Sequence, residues 1–169
     1  IGYVPQKGVL FSGTIGDNIR WGDENADEDE VRAAAEIAQA LGFIEDKPEQ
    51  FGYDISQGGA NVSGGQKQRL AIARALVRKP SIMIFDDSFS ALDIKTDITI
   101  RKALAEKTAD AVKIIVAQRV GTILHAEQII VLDEGHIAGK GTHSELMKNC
   151  GIYRDIARSQ LSESELEAV

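Results

Sequence analysis

The sequence of 169 residues holds a single cysteine, Cys150. No disulfide can form within the chain, and such sparing use of thiols fits a reducing compartment. No apolar run approaches the ~18 residues that a membrane-spanning helix needs, and no signal peptide is visible. Any link to a membrane therefore comes through other polypeptide. Positive charge is also short: 19 Lys and Arg stand against 26 Asp and Glu, a net charge of −7. That balance excludes the basic footprint used for nucleic acid or an anionic lipid surface. The three histidines have no partners at ligand spacing and read as structural or surface residues. The acidic run 23–30 lacks the spacing of a calcium loop, and its later part falls at a helix start, where negative charge is favourable. Cys150 reads as an incidental thiol.

What is present is ordinary for a globular domain: 43% hydrophobic and 27% charged residues, and enough chain for one hydrophobic core. The most informative stretch is Asn61-Val62-Ser63-Gly64-Gly65-Gln66-Lys67-Gln68-Arg69-Leu70-Ala71-Ile72-Ala73-Arg74-Ala75-Leu76. Ser63 can cap a helix whose apolar face is Leu70, Ile72, Ala73, Leu76 and Val77. Two glycines at its start remove the β-carbons, so backbone N–H groups can approach a ligand closely. Free N–H groups and the positive end of the helix dipole make such a start a phosphate site. Taken alone, Ser-Gly-Gly is equally well a turn feeding a helix.

The rest of the chain alternates strands and helices. Residues 1–6 read as a strand running into a loop, with Pro5 ending the pairing. Thr14 caps a short helix ending near Trp21. A helix is expected over 27–41, burying Val31, Ala34, Ala35, Ile37, Ala38 and Leu41 and stopped by Gly42, and a further short helix over 43–50. The apolar strand 82–85 has the composition of a strand covered on both faces. It delivers Asp86 and Asp87 at its C-terminal end, where open α/β sheets place ligands. Then come a helix over 94–107, a strand over 112–117, a helix over 119–126, and a hairpin over 129–139 turning at Glu134-Gly135. A capped helix opens at Thr142, a helix covers 153–160, and the tail 161–169 is expected to fray.

The order and spacing of Gln6, the Val9–Gly22 segment, Ser63-Gly64-Gly65-Gln66, Asp86-Asp87, Ser90-Ala91-Leu92-Asp93 and Gln118 resemble the nucleotide-binding domain of ABC transporters, most closely the exporter type. The resemblance covers nearly the whole chain. It implies the P-loop NTPase-like ABC ATPase fold: a mainly parallel sheet with helices on both faces and a helical signature subdomain. The expected division is strand end and glutamine loop over 1–6, signature subdomain over 7–76, α/β core over 77–160 and tail over 161–169. The family's phosphate cradle, Gly-x-x-x-x-Gly-Lys-[Ser/Thr], does not occur in this sequence. In the family it lies upstream of the Gln6 strand, together with the adenine-stacking aromatic. The chain, which opens inside a strand without Met, is thus expected to be a fragment of a longer protein, with negligible ATP affinity of its own.

By this resemblance ATP and Mg²⁺ are the cofactors. Asp86 organises the metal, Gln6 touches the metal and the attacking water, and residue 87 acts as base or water-positioner. Aspartate at 87 departs from the family's glutamate; one methylene less withdraws the carboxylate by about an ångström, a displacement that can cost about a hundredfold in rate. Gln118 stands where the family carries a histidine bonded to the γ-phosphate. The two departures together resemble the degenerate half of a heterodimeric bacterial multidrug, peptide or lipid exporter. Ser63, Gly64, Gly65 and Gln66 are intact and would close over ATP held by a second nucleotide-binding domain, with Asp93 bridging the pair. Trp21 and Gln57 would meet coupling helices of a transmembrane domain upstream in the same polypeptide, although Gln57 replaces the family's glutamate and Trp21 could instead belong to a small local core. The implied place is the cytoplasmic face of the cell membrane, the fragment itself being soluble. A chain that has lost neighbouring elements of its sheet is expected to expose apolar strand faces and to self-associate. Two other readings compete: a non-transport ABC ATPase of DNA repair or chromosome organisation, against which the acidic balance and the exporter-like 11–21 segment argue, and a regulatory pseudo-ATPase module, motivated by Asp87 and Gln118.

Overall fold

The computed structural model describes residues 1–162 and Leu166; the remainder of the expected tail lies outside the described residues. The chain divides into two compact units, Ile1–Val116 and Ala117–Val169.

The first unit opens with strand β1 (Gly2–Val4) and a short strand β2 (Gly13–Thr14), followed by α1 (Ile15–Arg20). Thr14 caps α1 as expected: its hydroxyl accepts from Asp17 N–H while the Asp17 carboxylate accepts from Thr14 N–H, a reciprocal closure of two orphan donors. Helix α2 (Glu28–Ile37) is capped in the same way by Asp27 and Glu30. It is shorter than its apolar periodicity predicts. Gln39, with φ of 54°, turns the chain out of the helix, and Ala40 N–H reaches back to Ala35 O at 2.8 Å, the Schellman closure usually given to glycine. Gly42 does not stop α2 but lies inside the next helix, α3 (Leu41–Glu45). The helix expected over 43–50 is replaced by α3 and a 3₁₀ turn at Gln50–Gly52. Strand β3 (Asp54–Ile55) pairs antiparallel with β2.

Helix α4 (Gly64–Leu76) then leads to strand β4 (Ile82–Asp86), helix α5 (Ile94–Lys107) and strand β5 (Val112–Val116). The sheet order is β1-β4-β5, all parallel, with Val4 beside Phe85 and Asp86 beside Val116. Successive strand residues point to opposite faces. One face, carrying Val4, Met83 and Phe85, enters a core with Leu70 and Ile72 of α4 and Ile100 and Leu104 of α5. The other face is bare: Val112, Ile114 and Val116 are 60%, 49% and 52% exposed. Within this chain β4 is therefore covered on one side only, and the exposed apolar strand faces expected of a shortened sheet are present.

The second unit starts with α6 (Val120–Ile123), shorter than the helix expected over 119–126. Strands β6 (Ile129–Asp133) and β7 (His136–Gly141) form the expected hairpin. Its turn places both Glu134 and Gly135 at positive φ, 44° and 80°, the geometry that matches strand twist. Helix α7 (His143–Asn149), capped by Thr142 and Glu145, and helix α8 (Gly151–Gln160) complete it. Val120, Ile129, Val131, Leu146, Tyr153 and Ala157 form a separate small core. His143 is structural, as read: it is buried, with Nδ1 2.8 Å from the Tyr153 hydroxyl. Cys150 is buried against β7, where a β-carbon on Gly139 would lie 2.9 Å from its sulfur.

Candidate nucleotide site

The start of α4 is built from adjacent residues. Ser63 has extended backbone and its Oγ accepts from Gln66 N–H at 3.2 Å; Gln66 Oε1 accepts from Ser63 N–H at 2.9 Å. The start is therefore capped rather than open at those two donors, while the Gly64 and Gly65 amides, in the first turn, have no acceptor within the helix. A β-carbon on Gly64 would meet nothing within 4 Å, and one on Gly65 would lie 3.7 Å from Ala91 O. The glycines thus keep one side of the helix start open and let the 91–92 loop approach the other. Asp93 caps α5, its carboxylate accepting from Thr96 N–H at 3.0 Å. That bond, with Arg69 contributing, holds the Asp93 carboxyl below the usual range.

The end of β4 is assembled from distant residues. Asp86 and Tyr3 share the bare face of the sheet, and the Tyr3 hydroxyl donates to Asp86 Oδ2 at 2.9 Å; this bond pushes the Tyr3 hydroxyl pKa up. Gln6 Nε2 donates to Asp87 Oδ2 at 3.1 Å. Asp87 itself is 8% exposed and sits at φ of 46°, a left-handed conformation that costs of order 1–3 kcal/mol for a side chain other than glycine. The surroundings hold it there. Its N–H donates to Val116 O, and its carbonyl accepts from the Ser90 hydroxyl at 2.8 Å. Buried Ser88 donates to Val4 O at 2.8 Å, tying the turn back to β1. Gln6 thus meets Asp87, and Tyr3 meets Asp86, at the end of β4.

Tyr3 was not singled out from the sequence, yet strand alternation places it on the face opposite Val4, in line with Asp86. Oxygen donors of this kind fit a hard cation. Mg²⁺ keeps several waters and takes one or two carboxylates together with substrate phosphates, which suits Asp86 and the side-chain oxygen of Gln6. Among the described residues no group of three His, Cys, Asp or Glu could hold a metal unaided.

Two further predicted positions lie on the first unit's surface. Trp21 is 62% exposed and stacks on Phe11 with ring centroids 4.5 Å apart, and the Arg74 guanidinium lies 5.2 Å from the Phe11 ring centre. Arg74 also donates to Asn18 O, Asn18 Oδ1 and Val9 O at 2.8–2.9 Å. Trp21 is therefore displayed on a supported platform rather than sunk in a local core. Gln57 is exposed in a 3₁₀ turn, Gln57–Gly59, fastened to α4 by Lys67 Nζ donating to Gly58 O at 2.9 Å. Gln118 belongs to the second unit, where its carbonyl accepts from Gln160 Nε2 at 2.9 Å.

A three-stranded parallel sheet with carboxylates at its C-terminal edge, together with a glycine-led helix start, belongs to the ABC ATPase fold. The chain belongs to the ABC transporter family, whose family model, described as "ABC transporter", matches residues 1–90. It is 47% identical over 163 residues to an uncharacterized ABC transporter ATP-binding protein of Mycobacterium tuberculosis, covering 95% of this chain and 28% of that protein. It is 45% identical over 168 residues to the uncharacterized ABC transporter ATP-binding protein YfiB of Bacillus subtilis, covering 99% and 29%. Mouse ATP-binding cassette sub-family B member 5 is 44% identical over 160 residues, covering 95% and 13%. A bacterial Atm1-family ABC exporter solved with ATP bound superposes with a TM-score of 0.91 at 39% identity, over 96% of this chain and 28% of that one. The chain thus spans less than a third of the length of these relatives. Among its described residues no helix is long and apolar enough to cross a membrane.

Proposed function

We propose that this chain is part of the ATP-hydrolysing subunit of an ABC exporter, working at the cytoplasmic face of the cell membrane. The observation that carries the reading is the convergence of Gln6 on Asp87, at 3.1 Å, next to Asp86 at the end of a parallel strand. Hydrolysis of a terminal phosphate requires little covalent chemistry from the protein, mainly positioning and charge stabilisation. ATP supplies the phosphoryl group and Mg²⁺ the neutralising charge when bound. In this role Asp86 holds the metal side of the site, and Gln6 and Asp87 orient water. The Ser63–Gln66 start offers backbone N–H groups to the phosphates of ATP cradled by a second nucleotide-binding domain, and Asp93 bridges the pair. Trp21 and Gln57 receive coupling helices of the transmembrane domain; the Phe11–Trp21 platform is the apolar surface suited to it.

The chain's own carboxylates belong to a slow site, because Asp87 and Gln118 are weaker substitutes at the two catalytic positions, and the partner in a heterodimer carries the fast one. Mutation of the assembled transporter tests this: Ser63→Arg or Gly64→Asp abolishes ATP turnover, whereas Asp87→Asn changes it by less than about twofold. Equal loss from both changes would refute the asymmetry. The same two substitutions support a second reading, a regulatory module that binds nucleotide and gates its partner; it would show itself as a transporter whose turnover depends on ATP at this site without consuming it.

The 169 residues alone bind MgATP too weakly for calorimetry at micromolar protein, since the phosphate cradle lies in other sequence; micromolar affinity would overturn this. The bare sheet face, with Val112, Ile114 and Val116 about half exposed or more, drives self-association, read as a mass that rises with concentration in light scattering. A monomer throughout would count against it.

A further inference from the structure

Among side chains that the proposed chemistry leaves unused, Gln68 is buried and bonded at both ends of its amide. It stands on α4 five residues beyond the Ser63 cap and is 1% exposed. Both ends of its amide go to one loop: Oε1 accepts from Gly8 N–H at 2.8 Å, and Nε2 donates to Pro5 O at 3.0 Å. These two backbone groups flank Gln6. Gly8 lies so close that a β-carbon there would come within 2.8 Å of Lys67 O, so loop and helix backbone touch with no side chain between them. Only Gln6 and Lys7 are left to bow out between the anchored points. Further along α4, Arg74 holds Val9 O at 2.8 Å, a second fastening of the same segment. A residue with one donor and one acceptor at this reach is required: glutamate has no donor for Pro5 O, and an apolar side chain would leave two buried backbone groups unmatched.

We infer that Gln68 is a positioning residue that staples the Gln6 loop to α4, so that the loop and the Ser63 helix start move as one body. The inference rests on the proposed ATPase role. Helix α4 is continuous from Gly64 to Leu76, so a displacement of the loop reaches Ser63 without slack. The helix start is then presented to the partner's nucleotide in a position that the loop sets.

The test uses the full-length transporter with its partner, in lipid, carrying Gln68→Met, Gln68→Glu, or the core truncation Leu104→Ala as a stability control. Hydrogen exchange of the 4–11 segment and the split of kcat against KM for MgATP are read together. Gln68→Met speeds Gly8 amide exchange at least tenfold and lowers kcat about tenfold, with KM within twofold. Gln68→Glu, which retains the acceptor, keeps Gly8 protected and gives a smaller fall in kcat. Leu104→Ala lowers the melting temperature without changing kcat per folded molecule or Gly8 exchange. Unchanged Gly8 exchange or a wild-type kcat in folded Gln68→Met overturns the staple. Should Gln68→Met not fold, rapid Gly8 exchange in Gln68→Glu overturns it equally. A wild-type transporter with no MgATP turnover overturns the ATPase reading instead, while the exchange measurement still decides the staple.

Discussion

The start of α4 and the end of β4 both present polar groups suited to nucleotide, the first proposed for a partner's site and the second for the chain's own, and they are held by opposite means. At the helix start Ser63 and Gln66 satisfy each other across three residues. At the strand end the carboxylates of Asp86 and Asp87 are bonded by Tyr3 and Gln6, 83 and 81 residues away in sequence. The first is a local motif that needs only a helix. The second exists only once β1 has paired with β4, and it carries backbone strain at Asp87 that the paired sheet must hold. The difference matches the proposed division of labour: a self-sufficient helix start that can be lent to a partner, and a carboxylate pair that depends on its surroundings.

The comparison can be sharpened by experiment. The largest gain is expected from Asp87→Glu in the assembled transporter, which restores the missing methylene and raises hydrolysis at this chain's own site about tenfold, part of the hundredfold that an ångström of misplacement costs. Single-turnover measurements that separate the two sites check it; no change would mean that the site is silenced elsewhere. Stability separates the two ends next. Ser63→Ala removes a cap and lowers unfolding free energy by about 1 kcal/mol, while Tyr3→Phe, losing an exposed bond, costs less; denaturant titration decides. The reverse order would show that the strand end carries more of the fold than its exposure implies.

Acid distinguishes the regions more subtly. The Asp93 carboxyl is held low by its Thr96 bond, so its contribution is complete above the ordinary carboxylate value of about 3.9 and fades as pH falls through its lower folded value. His143 in the second unit is pushed down by burial, with His125 adding to it. The folded unit favours neutral imidazole, so stability is complete above about pH 6.5 and falls as pH drops below it. The 117–162 segment is thus expected to lose protection as pH falls below about 6.5, before 1–116 does, by hydrogen exchange, and His143→Phe removes that difference.

The helix start, the hairpin turn at Glu134-Gly135 and the caps at Thr14 and Thr142 were legible because each is closed within four residues, whereas the equally local cap at Asp27 was read only as favourable charge at a helix start. The break after Ile37 was not. The apolar stripe of α2 runs on past it, and the turn is made by Gln39, a residue with no intrinsic preference for positive φ, while Gly42 pointed to the wrong place. Gln6, Asp86 and Asp87 could be named from motif order, but the bonds from Gln6 to Asp87 and from Tyr3 to Asp86 could not. Tyr3, Gln68 and Arg74 were missed because each acts on a partner loop or strand that lies far off in sequence.

By itself the amino-acid order determined most of the longer elements and which residue types reach the candidate site, since capping, strand alternation and motif spacing are written in neighbouring positions. Only the tertiary structure decided that Gln6 reaches Asp87, that Gln68 fastens the loop to α4, and that one sheet face stays bare. Those are distances between residues many positions apart, and they exist only after parallel strands have paired and a buried helix has been laid across them.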